Sequence, residues 1–319
     1  TYQRTDQNFI NQHRDANGTP DAYAQSSSLG SNTSGNPKLK PEIATNFTGG
    51  AVFRATKWLS ITADYYYIKK SHYIAPNPVG TASVADTWLS GGTLPEGVTV
   101  TPDVEDPQYP NASRRPGLIN LGYINTNKLV TDGVDLAIDA TTRLPGVLHN
   151  IRWYSHGTAT YIHSYNLTLP NGQVQHFAGT IGNYSAVSAS GTPRWRASWS
   201  NTFVYRNLSV TPTVYYTSGY KTVAEDQTGP GSRHDCSNFA AIQQAYTPSQ
   251  CHVKNWWDVD LTLNYRINSR WSIYTNVYML LGSRSPYDFA TYGSYLYNSA
   301  WSQKGMVYRS FQFGVNVAL

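Results

Sequence analysis

Residues 256–280 sort their side chains into two sets with almost no exceptions. Trp257, Val259, Leu261, Leu263 and Tyr265 fall on one parity, and Asp258, Asp260, Thr262, Asn264 and Arg266 on the other. A period of two puts the sets on opposite faces of a strand. After Asn268 and Ser269 the alternation resumes, with Trp271, Ile273, Thr275, Val277 and Met279 against Ser272, Tyr274, Asn276 and Tyr278. The stretch therefore predicts a long antiparallel hairpin. Its arms exceed the five or six residues common in soluble sheets and match what a tilted strand needs to cross a bilayer. The polar face carries Ser, Thr, Asn, Tyr and Asp rather than the Lys and Glu of a solvated sandwich, which favours a membrane barrel.

Composition narrows the class. Charged residues make up 13% of the 319, about half the usual share, while 25 Tyr and 9 Trp are present. Mean hydropathy is negative and no run of 18 apolar residues occurs, so membrane-spanning helices are excluded. Low charge and abundant aromatics fit a wall with one lipid-facing side and aromatic girdles at both interfaces. Trp58, Trp153, Trp195, Trp257 and Trp271 are the expected interface anchors. The net charge of +5 is spread over 24 scattered basic residues with no stripe, so no nucleic-acid partner is expected.

The same alternation recurs along the chain at 43–54, 58–69, 120–143, 151–165, 195–205, 208–217, 256–266, 271–280 and 307–319, giving nine strands. A bulge is expected near Asp132 and Gly133. In the strand at 151–165, Ser155 and Gly157 interrupt the apolar parity. Short turns alternate with long loops, and the long loops at 1–42 and 73–118 show no sustained periodicity. In outer-membrane barrels the short turns face the periplasm and the long loops face outside. Cys236 and Cys251 share one such loop, and their spacing suggests a disulfide in an oxidising compartment, with two free thiols as the alternative.

Three segments carry a family resemblance. Asn36-Pro37-Lys38-Leu39-Lys40-Pro41-Glu42, followed by a strand, a short turn and Trp58-Leu59-Ser60-Ile61-Thr62, resembles the NPxLKPE block of TonB-dependent outer-membrane receptors. Gly191-Thr192-Pro193-Arg194-Trp195-Arg196 is similar to a later strand-opening segment of that family. Ser285-Pro286-Tyr287, with Tyr292 and the aromatic last strand, is similar to its final loop and closing strand. The receptors of xanthomonad and caulobacter type are the most similar. Met279-Leu280-Leu281-Gly282, where the family usually carries an Asn-Leu-Phe-Asp-like segment, and the final Leu319 depart from the pattern.

The resemblance implies an all-β antiparallel transmembrane barrel of about 22 strands, of which residues 1–319 supply roughly the last nine, with the plug domain absent. Residues 1–42 are then an extracellular loop and 43–319 the nine strands with long outer loops and short periplasmic turns. It also implies a bacterial outer-membrane location and import of a scarce bulky ligand, siderophore-bound iron or an oligosaccharide. The implied partners are outer-membrane lipid and lipopolysaccharide, the remaining strands and plug of the same receptor, TonB through the missing part, and the ligand. Thr1 is not a start residue and an odd strand number leaves two unpaired edges, so the chain is expected to be part of a longer protein that does not fold as this piece alone.

No covalent chemistry, cofactor or metal is expected. Asp64, Asp135, Asp139, Asp258 and Asp260 share the lumen parity, where carboxylates bonded to Arg152, Arg196 and plug groups are the ordinary case. The eight His form no HExxH pattern, and the sequence holds no CxxC. Ligand contact is expected from loop aromatics that can stack on flat or sugar rings: Trp88, Tyr109, Tyr184, Tyr292, Tyr295, Tyr297 and Trp301. The alternatives are a porin-like or autotransporter-like pore and a secreted all-β carbohydrate-binding protein.

Overall fold

The computed structural model describes residues 7–77, 79–108, 110–111, 114–181, 191–222, 252–288, 297–298, 300 and 303–318. Nine long strands follow one another in one antiparallel sheet: β2 (Ile43–Thr56), β3 (Leu59–Ser71), β7 (Lys128–Arg143), β8 (Ile151–Thr168), β10 (Trp195–Tyr205), β11 (Leu208–Thr217), β14 (Trp256–Arg266), β15 (Trp271–Tyr278) and β16 (Ser310–Val317). Each pairs with its neighbour in sequence among these nine, and the sheet ends at β2 and β16 without closing. Small strands complete the chain order: β1 (Gly30–Ser34), β4 (Ile74–Pro76), β5 (Val98–Pro102), β6 (Pro116–Asn125), β9 (Val174–His176), β12 (Tyr220–Lys221) and β13 (His252–Val253).

The two parities of each long strand meet different surroundings. Trp257 is 53% exposed while Asp258 beside it is fully buried, and Phe313 is 73% exposed, so the large apolar groups look outward and polar groups inward. This inversion of a water-soluble sheet is what lipid requires, because the apolar area faces the bilayer while the strands between β2 and β16 bond to a neighbour on both sides. The interrupted parity of β8 has a packing reason. Trp199 of β10 lies opposite Gly157, a Cβ on which would stand 3.2 Å from the indole, and its Nε1–H donates to Ser155 Oγ at 2.8 Å. One large side chain thus covers two small ones on the outward face. The register shift at Asp132/Gly133 sits where the bulge is expected.

Three sequence expectations need correction. The run at 120–143 is not one strand, because Thr126 and Asn127 break it into β6 and β7. Thr126 N–H donates to Tyr73 O, and the Asn125 side chain donates to His72 O and Lys40 O, so the two residues after β6 are taken up in other bonds before β7 begins at Lys128. The aperiodic loops are also structured. Helix α1 (Gln7–Gln12) precedes β1, β1 pairs in parallel with β6, and helix α2 (Thr81–Leu89) packs Val84 and Ala85 against Val98 and Ile119. These loop elements form a compact unit of their own around that small apolar core. Lastly, the strand at 271–280 stops at Tyr278, since Met279 takes φ +53° and its N–H donates to the Asp260 side chain at 3.0 Å.

Candidate functional site

The inward face of the sheet carries a ladder of carboxylates with partners that sequence spacing does not reveal. His156 Nδ1–H donates to Asp139 at 2.7 Å, and Thr160 donates to Asp135 at 2.6 Å. Asp132, which lies on the outward parity opposite Tyr67, is bonded by His163 and Ser164 across the bulge. Each pair is brought together by the β7–β8 register, in which Asp139 faces His156 and Asp135 faces Thr160.

Toward the long-loop end the ladder opens into a concavity of ≈470 Å³, lined among others by Thr160, Arg196, Ser198, Tyr215, Trp256 and Lys304. Lys304 arrives from the 3-10 helix Gln303–Met306 in the last loop, stands 4.2 Å over the Tyr215 ring and donates to Asp260 at 2.8 Å. Burial works to lower the Lys304 ammonium, but the hydrogen bond and charge of Asp260 outweigh it and hold the group above the ordinary lysine range. Asp258 is fully buried 3.7 Å from the same ammonium, and neither of its oxygens has a hydrogen-bond partner among the described residues. Trp256, only 8% exposed, has an equally unpartnered Nε1–H. A buried polar atom without a partner costs about 1–3 kcal/mol, so three of them on two neighbouring residues are a feature to explain.

Outer loops are tied together beside this cavity. Tyr220 donates from its hydroxyl to Asp288 at 2.5 Å and accepts from Asn298 at 3.3 Å, over a buried cluster of Ile181, Tyr220 and Val253. The Tyr220 ring lies 2.4 Å from where a Cβ of Gly191 would stand, and Gly191 has φ +81°, so only glycine fits this strand-opening segment.

Of the expected ligand-contacting aromatics, Trp88 lies in the last turn of α2 and donates from Nε1 to Arg114 O at 3.3 Å, inside its own loop unit. Tyr297 bridges Tyr287 in the last loop. Tyr109, Tyr184, Tyr292, Tyr295 and Trp301 lie outside the described residues, as do Cys236 and Cys251. The expected anchors fall at two levels. Trp195 and Trp257 sit at the long-loop end, against Tyr161 (centroids 4.6 Å) and Tyr216 (4.4 Å). Trp58 and Trp271 flank short turns, and Trp153 near them donates to Asn201 at 3.0 Å. Sequence reasoning passed over Tyr215 and Trp256. Both carried a signal, since each is a large aromatic on the polar parity of its strand. Lys304 carried none, because a loop delivers it.

An outward apolar face, an inward polar ladder, short turns at one end and long loops at the other define the wall of an outer-membrane transport barrel. A family model described as TonB dependent receptor-like, beta-barrel, matches residues 6–278, and the chain belongs to that family of outer-membrane receptors. No curated protein matches the chain in sequence. Solved structures share its fold at low identity. They include the siderophore receptor PirA from Acinetobacter baumannii (15% identity, 90% of this chain and 33% of that one, TM-score 0.51). The ferric enterobactin receptor PfeA from Pseudomonas aeruginosa matches at 14% identity over 89% and 32%, with TM-score 0.50. The outer membrane transporter YddB from Escherichia coli matches at 13% over 92% and 35%, with TM-score 0.50. The chain thus spans about a third of the length of these structures.

Proposed function

We propose that the receptor containing this chain imports a bulky ligand across the outer membrane with TonB, and that the part of the ligand entering the outer lumen is a neutral, hydroxyl-rich group such as an oligosaccharide. The observation that carries the ligand class is the pair of unmet polar needs beside the ≈470 Å³ concavity: Asp258 wants a hydrogen-bond donor and Trp256 an acceptor. A sugar hydroxyl supplies both, whereas a metal-bound catecholate offers acceptors alone. Charge points the same way. Asp258 and Asp260 both stand beside Lys304, and Asp135 lies behind Thr160, so among the described residues the positive charge of Arg196 and Lys304 is matched by nearby carboxylates. The rings of Tyr215 and Trp256 supply apolar faces for sugar C–H groups.

Loop aromatics such as Trp88 and Tyr297 are the proposed outer contacts, and Trp58, Trp153, Trp195, Trp257 and Trp271 the proposed interface anchors. The second reading is a ferric siderophore, supported by the likeness to PirA, a siderophore receptor, and to PfeA, a ferric enterobactin receptor solved in complex with enterobactin. Calorimetry on the purified full-length receptor tests the choice. Neutral oligosaccharides should bind and Trp256→Phe should weaken them about three- to tenfold, the worth of one hydrogen bond. Binding of a ferric catecholate with no response to any oligosaccharide would overturn the proposal.

A further inference from the structure

Asp258 holds the two unmet acceptors beside the outer cavity, yet no part of it is exposed. A ligand reaches it only after a neighbour moves. Its described neighbours on this face are Tyr215, its register partner on β11, Trp256, two residues back along β14, and the Lys304 ammonium at 3.7 Å. Tyr215 and Trp256 are held by their strands. Lys304 alone comes from a loop, on a flexible four-carbon stem, and its side chain is 47% exposed. The backbone beneath it is pinned, because Gly305 lies so close to Ser285 that a Cβ there would collide with the Ser285 main chain. The movable part is therefore the Lys304 side chain.

We infer that Lys304 is the specificity-determining gate of this cavity: the ligand swings its ammonium off Asp258 and Tyr215, and only a ligand that brings hydrogen-bond donors of its own can take that place. Asp260 accepts from Lys304 and also from Met279 N–H at 3.0 Å, so it keeps one donor when the ammonium leaves. Asp258 keeps none, so the incoming group must donate to it, as a hydroxyl does and a metal-bound catecholate oxygen does not. The Tyr215 face, covered by the ammonium at 4.2 Å, then becomes free for a sugar ring, and Trp256 Nε1–H finds its acceptor in another hydroxyl. An anionic ligand would instead bind the ammonium where it stands and leave Asp258 covered. The inference rests on the reading of this cavity as the ligand site.

Two measurements on the full-length receptor in lipid vesicles test it. The first needs no ligand: carboxyl groups are labelled with a carbodiimide and glycine ethyl ester and read by mass spectrometry. Asp258 should stay unlabelled in the wild type and become labelled in Lys304→Ala. The second is calorimetry with maltotriose, xylotriose, mannotriose and a ferric catecholate. Lys304→Ala should tighten whichever sugar binds about three- to tenfold, and Lys304→Arg, whose fork can span both carboxylates, should weaken it by a similar factor. Lys304→Gln serves where Lys304→Ala does not assemble, and should shift both readings the same way. An Asp258 that stays unlabelled without the Lys304 side chain overturns the inference. So does sugar binding weakened by both substitutions, the result expected if Lys304 merely steadies the loop or contacts the ligand, and so does a ferric catecholate that Lys304→Ala tightens. If no sugar binds while Asp258 becomes labelled and Lys304→Ala weakens the catecholate, the gate stands and the sugar reading alone fails.

Discussion

Leu261 and Thr262 are adjacent in β14 yet face different media, and arginine at each position measures that difference. Leu261 lies on the outward parity, paired with Pro212 and Val277, four residues from Trp257 at the outer end and four from Tyr265 at the inner end. At about 3.4 Å per residue and a tilt near 40°, it sits some 10 Å below each aromatic level, close to the bilayer midplane. Arginine on the lipid face at that depth costs about 2–4 kcal/mol, one and a half to three powers of ten in the folding equilibrium. Thr262 faces the lumen beside Thr211 and Asn276, and arginine there should cost under about 1 kcal/mol because its head stays among polar groups. Urea titration of the full-length receptor in lipid vesicles, followed by heat-modifiable mobility, gives both values. Equal costs at the two positions, or a larger cost at Thr262, would refute the assignment of faces.

Lys304→Met should destabilise the receptor by about 1–2 kcal/mol, less than for a fully buried pair because Lys304 is half open to solvent, and adding Asp258→Asn should restore most of it; chemical denaturation of the three variants decides. Trp199→Phe strands the Ser155 hydroxyl on the lipid face and should cost about 1–2 kcal/mol, whereas Trp199→Phe with Ser155→Ala should recover part of that in the same titration. In the loop unit, His13 is buried with Nδ1 2.9 Å from Phe9 O and Nε2 2.5 Å from Asp106, stacked on Phe9 and with Asp21 nearby. Burial opposes its charge, but the Asp106 and Phe9 bonds win and raise its pKa above the ordinary 6.5. Its stabilisation is therefore complete below about pH 6.5 and is lost as pH rises through the elevated value. Hydrogen exchange of residues 7–24, corrected for intrinsic rate, should show protection falling in that window in the wild type and flat in His13→Ala.

The wall was legible in the sequence because lipid on one side and a polar lumen on the other impose a strict period of two. The strands Trp195–Tyr205, Leu208–Thr217 and Trp256–Arg266 begin and end where the alternation does. The loops were illegible for the matching reason. Their fold depends on a few buried contacts such as Val84 with Ile119 and on single bonds such as Asn125 to His72, and neither leaves a period. Asn120–Asn125 misled because β6 alternates like a wall strand while pairing with β1, β4 and β5 instead. At the site, carboxylate parity located Asp258 and Asp260, but Lys304 and His156 reach their partners through tertiary placement and register.

Uptake of a labelled ligand by cells producing the full-length receptor tests the central claim most directly. Accumulation should saturate, require TonB and collapse on adding a protonophore, while removal of the receptor abolishes it. Entry that persists without TonB or without the proton gradient would make the barrel a passive pore and contradict the account.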